Sequence, residues 1–185
     1  MRLFIGLALP REVRLALAAV QYGLPGARWV KPESLHLTLR FLGDVDRGQA
    51  EDVDAALSDI VAPSFDLEFS GLGCFEGKDR VRALWTPAVK SCDLKHLQEK
   101  IESAVVRAGF EPERRKFKPH VTLARFKNGS STERVGMFLE NHNTLHAGPF
   151  TIGHFTLFRS HLGREGSVYE PLVEYPLYVK LLADA

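Results

Sequence analysis

His36-Leu37-Thr38-Leu39 and His120-Val121-Thr122-Leu123 are two nearly identical tetrads that stand 84 positions apart in a chain of 185 residues. Each tetrad alternates polar and apolar side chains, and successive side chains of a β-strand point to opposite faces of the sheet. The His and Thr of each tetrad therefore share one face, and the Leu or Val side chains face the core. The chain has only seven histidines, so two such copies indicate an internal repeat.

The segments around the first tetrad alternate between strand and helix patterns. Apolar residues run continuously or alternate in the strands, and they recur every three or four positions in the helices. The predicted elements are a strand at 2–9, a helix at 11–22, strands at 29–30 and 35–42, a helix at 49–61, and a hairpin of strands 65–75 and 81–86. The first tetrad therefore lies within a strand.

The second half of the chain repeats that order. Its predicted elements are a helix at 93–108, the tetrad strand at 120–126, a short helix at 132–140, and strands at 150–159 and 169–178 joined by a turn at 163–166. We therefore expect an α+β fold with two related lobes, each an antiparallel-rich sheet backed by outer helices, and a central cleft between the tetrad strands. No linker divides the chain, so we expect a single domain over 1–185.

Composition and charge exclude several classes of protein. The net charge is +1, which gives no global field for binding long nucleic acid. Cys74 and Cys92 are the only cysteines and have neither the number nor the spacing of a metal cage or a disulfide framework. The apolar runs are too short to span a membrane and the start lacks a secretory signal, so we expect a cytoplasmic protein.

Two histidines on one face suit a reaction in which one proton is removed and another is delivered, because imidazole titrates near neutrality. Two threonine hydroxyls beside them would donate to the non-bridging oxygens of a phosphate. The pattern indicates acid–base chemistry on a phosphodiester without a metal. A single His-x-Thr would more often be structural, and it is the second copy that favours catalysis.

A basic run, residues 113–119, leads directly into His120. Such runs are often solvated loops, but this one stands at the mouth of the expected site. Phe117 lies within it and is our preferred candidate for stacking on a base. Most of the other aromatic candidates for base stacking are expected to lie in the core: Phe4, Trp29, Phe41 and Phe126.

With these motifs placed, the chain resembles the 2H phosphoesterase superfamily, and within it the bacterial and archaeal RNA 2′,3′-cyclic phosphodiesterases, historically described also as 2′-5′ RNA ligases. Residues 2–7, 28–43 and 117–125 carry the resemblance, with weaker support from 80–85 and from 158–160 and the Gly-x-x-Tyr that follows. The resemblance implies a bilobal α+β fold with pseudo-twofold symmetry. It also implies hydrolysis of a 2′,3′-cyclic phosphate to a 2′-phosphate without metal or other cofactor.

The same resemblance implies roles for individual residues. His36 matches the proton donor of the family and His120 its proton acceptor, and Thr38 and Thr122 match hydroxyls that contact the phosphate. Arg125 matches an arginine near the bound phosphate, although alternation along a bent strand leaves its face undecided. The residues alone do not decide which histidine is the acid, because the two tetrads have the same local context.

Several alternatives remain open at this point. The same groups running in reverse would join a 5′ hydroxyl to a cyclic phosphate, which makes 2′-5′ RNA ligation the second candidate. A zinc enzyme using His142 and His146 is a weaker rival, since no carboxylate or Cys completes a familiar ligand set. A binding module for RNA ends that lacks turnover would not need two proton-transfer groups. The expected partners are RNA ends or nucleoside 2′,3′-cyclic phosphates, with no membrane, and the expected state is a monomer.

Overall fold

A computed structural model describes residues 1–78, 80–163 and 166–179. The helices are α1 (Arg11–Ala18), α2 (Arg47–Ser58), α3 (Cys92–Arg107) and α4 (Thr132–Asn141), with one 3-10 turn at Pro32–Ser34. The strands are β1 (Arg2–Ala8), β2 (Arg28–Trp29), β3 (His36–Asp44), β4 (Phe65–Ser70), β5 (Gly73–Gly77), β6 (Arg80–Pro87), β7 (His120–Ser130), β8 (His146–Ile152), β9 (His154–Gly163) and β10 (Gly166–Pro176). Strand β3 carries the first tetrad and β7 the second.

The strands follow a twofold pattern. The large sheet has the order β10-β9-β1-β3-β7-β6-β5, with β2 added on β7, and β4 pairs with β8 in a small second sheet. Along the chain each half contains the order strand, helix, tetrad strand, helix, strand, strand, to which the first half adds β2 and the second half adds β10. In each half the strand that follows the small-sheet strand joins the other half: β5 pairs with β6, and β9 pairs with β1. This exchange ties the two halves together.

The two tetrad strands meet at the centre of the large sheet. They run antiparallel and pair in register at Leu37 and Val121, so this junction joins the β1–β3 side of the sheet to the β7–β6 side. The α+β class with antiparallel sheets is confirmed. The two predicted sheets are not separate, because this contact continues one into the other.

Two predicted strands are broken by glycines. The strand predicted at 65–75 is two strands, because Gly71 adopts a positive φ of 76° and turns the chain from β4 in the small sheet to β5 in the large one. The strand predicted at 150–159 likewise divides at Gly153 into β8 and β9. In both places one continuous stretch of strand-like sequence forms two strands that belong to different sheets. The turn predicted at 163–166 lies partly outside the described residues.

Helix boundaries depend on caps and on long-range contacts. Helix α2 begins two residues earlier than predicted because Asp46 and Gln49 form a capping box, in which each side chain accepts from the other's backbone N–H. Helix α1 ends four residues before Tyr22, and the Gln21 side chain instead donates to the backbone oxygens of Val30 at 2.8 Å and Leu123 at 3.2 Å. These bonds fasten the segment after α1 to the strands beside the second tetrad.

The core lies on one face of the large sheet. The apolar tetrad residues Leu37, Leu39, Val121 and Leu123 belong to it, and α3 contributes a buried stripe of Leu94, Leu97, Ile101, Ala104 and Val105. Burying each of the Leu, Ile and Val side chains contributes roughly 1.5–3 kcal/mol, which holds the tetrad strands to the helices. In the described part of the chain no helix has the length and apolar character needed to cross a membrane.

Candidate active site

The side chains predicted from the two tetrads come together. His36, Thr38, His120, Thr122 and Arg125 all line one cavity of about 550 Å³, on the face of the large sheet opposite the core. The cavity is open to solvent on one side and holds polar groups from both halves of the chain. Imidazoles that are 84 positions apart in the sequence therefore face one space.

The register of the two central strands explains this convergence. Leu37 pairs with Val121 in antiparallel sense, and both side chains are fully buried on the core face. The residues on either side of this pair point the other way. His36 and Thr38 therefore face the cavity beside the corresponding pair of β7. A local twofold axis passes through the Leu37 and Val121 pair.

Arg125 reaches the same face because β7 is bulged. The consecutive β6 residues Leu84 and Trp85 pair with Ala124 and Thr122, respectively. Leu123 therefore has no partner of its own on β6. One extra residue shifts the alternation by one position, and Leu123 and Ala124 are both buried. Arg125 therefore falls on the face of His120, which resolves the side on which its guanidinium lies.

Strand β3 has the equivalent bulge. Two consecutive residues of β1 pair with Arg40 and Thr38, so Leu39 is the extra residue, and Leu39 and Arg40 are both buried. The shift turns Phe41 toward the cavity, where its side chain is 60% exposed. Phe41 thus occupies the position in the first half that Arg125 occupies in the second. The site is therefore symmetric in its histidines and threonines and asymmetric at the positions of Phe41 and Arg125.

Both catalytic candidates have the same hydrogen bond at Nδ1. The His36 Nδ1 lies 2.8 Å from the backbone oxygen of Ser34, and the His120 Nδ1 lies 2.6 Å from that of Lys118. A carbonyl oxygen only accepts, so each Nδ1 carries the hydrogen and donates it. This fixes the tautomer and leaves each Nε2 as the atom that exchanges a proton.

Aromatic rings surround His36. Its ring centroid lies 4.8 Å from that of Phe4 and 4.6 Å from that of Tyr169. Burial lowers the pKa of His36 to about 4, and the positive charges of Arg125 and His120 act in the same direction. The bond to the Ser34 carbonyl opposes the shift without cancelling it. Since the usual pKa is near 6.5, the unliganded ring is neutral at pH 7.

His120 has a similar but more open setting. Its ring lies 5.0 Å from that of Phe75 and 5.7 Å from that of Trp85. Burial lowers its pKa, the charges of Arg125 and Lys118 add to the effect, and the bond to the Lys118 carbonyl opposes it. The Lys118 ammonium lies 4.5 Å from the Trp85 ring centroid, a cation–π contact that holds the residue supplying that carbonyl.

The basic loop before His120 is anchored to the first half of the chain. Arg40 is buried, and its Nε lies 2.7 Å from Glu102 Oε2. The backbone N–H of Glu113 donates to Glu102 at 2.8 Å, and the Glu113 carboxylate accepts from the backbone N–H of Arg115 at 3.0 Å. Arg115 lines the cavity, so the predicted placement of this run at the mouth of the site is confirmed for that residue.

Several residues outside the two tetrads also line the cavity. Phe117 is half-buried and packs against the core, and it is not among the described residues that line the cavity. The sequence interpretation missed Ser34, Ser160 and Ser167 as lining residues, whereas Phe4, a stacking candidate expected in the core, lines the cavity. Tyr169 had a signal, since it ends the Gly-x-x-Tyr that follows Phe158-Arg159-Ser160 in the family resemblance. The three serines also lie in stretches that carry the resemblance, but their hydroxyls have no signal of their own, because isolated hydroxyls occur on any surface.

The remaining histidines are dispersed. The Nδ1 of His142 lies 2.9 Å from the Phe138 backbone oxygen, and its ring stacks on the Phe138 ring. His146 lies at the start of β8, and its Nε2 lies 3.8 Å from Glu68. Among the described residues no three His, Cys, Asp or Glu side chains form a group suited to a metal. Nothing in this region gathers the ligands that a zinc site requires.

Comparison with known proteins extends the match over the whole fold. The chain is 32% identical over 165 residues to the RNA 2′,3′-cyclic phosphodiesterase of Aeropyrum pernix, which covers 89% of this chain and 93% of that protein. It is 28% identical over 179 residues to the protein of the same name from Bacillus subtilis, covering 94% and 95% of the two chains.

Solved structures agree. A crystal structure of a Thermus thermophilus protein has a TM-score of 0.82 at 28% identity, covering 98% of this chain and all of that one. E. coli LigT in complex with 3′-AMP has a TM-score of 0.77 at 27% identity, covering 95% and 97%. The sequence model described as LigT-like phosphoesterase matches residues 7–85 and 87–169, so each matched segment contains one of the tetrads. The chain belongs to the LigT-like phosphoesterase family, the 2H phosphoesterases.

Proposed function

We propose that this chain hydrolyses the 2′,3′-cyclic phosphate of RNA or of a nucleoside to a 2′-phosphate without a metal ion. The observation that carries the proposal is the cavity lined by His36, Thr38, His120 and Thr122, in which both histidines keep Nε2 for proton exchange. The relatives named RNA 2′,3′-cyclic phosphodiesterase support the same activity.

In the proposed reaction His120 is the base and His36 the acid. The neutral His120 Nε2 takes a proton from a water molecule as the water oxygen attacks phosphorus. The bond from phosphorus to the 3′ oxygen breaks, and the His36 imidazolium delivers its proton to that oxygen. The product carries a 2′-phosphate and a 3′ hydroxyl, and the two histidines have exchanged charge states. Bulk proton exchange then restores them.

The substrate itself supplies the charge that His36 needs. A cyclic phosphodiester carries one negative charge, and an opposite charge within about 4–6 Å raises the pKa of an imidazole. His36 is the more deeply buried ring, with its pKa held at about 4 in the unliganded protein. Binding of the phosphate therefore favours proton uptake by His36. Because the phosphate charge acts on both rings, the choice of His36 as the acid and His120 as the base follows the family resemblance.

The other polar groups act on the developing charge. Thr38 and Thr122 would donate their hydroxyl hydrogens to the two non-bridging oxygens, and the Arg125 guanidinium offsets the additional negative charge of the transition state. Preorganised donors of this kind contribute roughly 2.7–4 kcal/mol each. General acid–base help from each histidine contributes about 10²–10⁴-fold.

The first test is incubation with 2′,3′-cyclic AMP in buffer containing EDTA, with separation of the 2′ and 3′ monophosphates. We expect the 2′ product, and we expect His36→Ala and His120→Ala to lose activity while keeping the circular dichroism spectrum of the parent. Formation of the 3′ product, or dependence on added zinc, would contradict the proposed reaction. Tight binding of the nucleotide with no product would instead favour a module for binding RNA ends.

A second test separates the acid from the base. A substrate whose 3′ oxygen is replaced by sulfur has a leaving group that needs no protonation. This substrate should restore most of the activity of His36→Ala and little of that of His120→Ala. If this substrate instead restored the activity of His120→Ala alone, His120 would be the acid and His36 the base.

The proposal extends to the organisation of the molecule. We propose that both halves fold as one domain, since β5 and β9 each complete the sheet of the opposite half, and that the protein is a cytoplasmic monomer. A single cooperative unfolding transition and a molar mass near 20.7 kDa by light scattering are the expected results.

A further inference from the structure

A second cavity adjoins the active site. It has a volume of about 640 Å³ and shares part of its wall with the first cavity, namely Val30, Ser34, Arg125, Ser167 and Tyr169. The two spaces therefore lie side by side at Arg125 and Tyr169. A ligand that fills the active site can extend into the second cavity without leaving the protein surface.

The second cavity is strongly basic. Its lining includes Arg28, Lys31, Arg82, Arg125 and Lys127, and none of the described residues that line it is an Asp or a Glu. The chain as a whole has a net charge of only +1, so this is a local concentration of positive charge. We call it the basic groove. A field of this kind attracts a polyanion to one place rather than to the whole surface.

Two of these cations face each other across a strand pair. Arg28 of β2 and Arg125 of β7 are direct partners in the antiparallel register. Directly opposed residues share a face with Cβ atoms about 4.5–5.5 Å apart, and like charges in that arrangement repel. Such a pair is costly in the unliganded protein, and an anion bound between the guanidinium groups removes the cost.

Aromatic rings complete the groove. Trp29 and Tyr169 are half-buried and contribute to its wall, and Trp29 packs on Phe138 with ring centroids 6.1 Å apart. Positive charge that follows a backbone, combined with rings on which bases stack, is the arrangement that binds single-stranded nucleic acid without sequence preference. A metabolite with one phosphate would use only a fraction of these groups.

The chemistry of the substrate gives the direction of the strand. A terminal 2′,3′-cyclic phosphate occupies both the 2′ and the 3′ oxygens, so the remaining nucleotides leave through the 5′ oxygen. We propose that the basic groove binds the phosphodiester backbone of a single-stranded RNA on the 5′ side of the cyclic phosphate, and that the protein thereby prefers oligonucleotide ends to free cyclic mononucleotides. This inference rests on the function proposed above.

The kinetic test compares uridine 2′,3′-cyclic phosphate with a tetrauridylate that ends in the same group. We expect kcat/KM to be at least tenfold higher for the oligonucleotide, and to fall more steeply with salt, by about 0.7 log units per log unit of salt for each phosphate neutralised. The double variant Arg82→Gln, Lys127→Gln should lose about tenfold on the oligonucleotide and less than twofold on the mononucleotide. Both side chains are exposed, and neither lines the first cavity.

Lys95→Gln is the matched control, because Lys95 is an exposed cation of α3 that lines neither cavity. It should leave both substrates unaffected. If the parent hydrolyses both substrates with equal kcat/KM, or if the double variant affects both equally, the basic groove does not bind the strand and the proposed function still stands.

A binding measurement does not depend on turnover. Fluorescence anisotropy with a labelled tetrauridylate bearing a 2′-phosphate should show about tenfold weaker binding to the double variant than to the parent or to Lys95→Gln. Unchanged affinity would overturn the inference even in a protein without hydrolytic activity. Equal competition by polyglutamate would assign the groove to acidic polypeptides instead, and this outcome also overturns it.

Discussion

Phe41 and Arg125 occupy equivalent positions in the two halves of the site. Each stands five residues after its histidine, and each is turned toward the cavity by a bulge that follows the His-x-Thr segment. One position carries an apolar ring and the other a guanidinium, so the near-symmetric cavity has one side suited to a base and one suited to a phosphate. Under the proposed function, this asymmetry would give a bound nucleotide a single orientation.

Phe41→Ala should weaken the binding of cyclic nucleotides. The ring is 60% exposed and has space for a base to stack on it, and base–aromatic stacking contributes roughly 1–3 kcal/mol. KM for 2′,3′-cyclic AMP should rise about tenfold, with a smaller change in kcat. Phe41→Trp should retain the parent value.

Ribose 2′,3′-cyclic phosphate, which has no base, supplies the control for Phe41. The parent and Phe41→Ala should hydrolyse it with nearly equal kcat/KM. An equally large effect of the substitution on this substrate would mean that the ring supports the site in some other way than by stacking.

Arg125→Gln should lower kcat by about 10²-fold, since a cation aimed at the developing charge is lost. It should also change the pH dependence. The charge of Arg125 contributes to the lowered pKa of both His36 and His120, so its removal raises both. The optimum of kcat/KM, which reports the free enzyme, should move to higher pH in the variant.

The pH profiles of kcat/KM and of kcat in the parent protein can also be compared with each other. Because both histidine pKa values lie below 6.5 in the unliganded protein, the optimum of kcat/KM should fall below that pH. A bound phosphate raises both values, so the optimum of kcat should lie higher than that of kcat/KM. Coincident optima would show that substrate binding does not change the protonation of the pair.

His36 should make the fold less stable in mild acid. Its pKa is near 6.5 in the unfolded chain and about 4 in the folded protein, so the unfolded state binds the proton more tightly. The contribution of His36 to the free energy of unfolding is constant above about pH 6.5 and is lost progressively as the pH falls toward 4, by up to ~3 kcal/mol. Urea unfolding at several pH values would measure this slope.

His36→Asn removes that titrating group. The variant should show a shallower loss of stability between pH 6.5 and 4 than the parent, whatever its stability at pH 7. The same slope in both proteins would contradict the lowered pKa of His36.

The sequence predicts the site where local rules suffice. Alternation along a strand is a property of the chain itself, so the shared face of His36 and Thr38 follows from the tetrad alone. The face of Arg125 depends on a bulge, and the bulge depends on how β7 pairs with β6, which no local pattern records. The break at Gly71 is similar, because the residues on its two sides are both strand-like and differ only in the sheet that each one joins.

The pairing of β5 with β6 is the hairpin that the sequence predicts, whereas the pairing of β9 with β1 was beyond the sequence pattern. Strand propensity predicts that a segment is extended, and it does not choose a partner. Here the partner follows from the twofold repetition. The strand after β4 pairs with the edge of β6, and the strand after β8 pairs with the edge of β1. The predicted two-lobed α+β arrangement is therefore right in class, and only the structure shows how the lobes are joined.

Gly6 and Gly136 give opposite predictions for the same substitution. Gly6 of β1 is the register partner of Thr38, and a Cβ at this position would lie 2.8 Å from the backbone oxygen of Leu37. Backbone on the central strand cannot move aside without disturbing the tetrad. Gly6→Ala should therefore destabilise the fold by about 1–3 kcal/mol and lower the activity as well.

Gly136 lies within α4, where a Cβ would meet nothing within 4 Å. Alanine is the better helix former by roughly 1 kcal/mol, so Gly136→Ala should raise the midpoint of thermal unfolding by a few degrees and leave kcat/KM unchanged. Scanning calorimetry on both variants checks the pair. If Gly6→Ala changed neither stability nor activity, β1 would be able to move away from β3 to make room for the methyl group. The close approach of Gly6 to Leu37 would then not be needed to hold His36 in place.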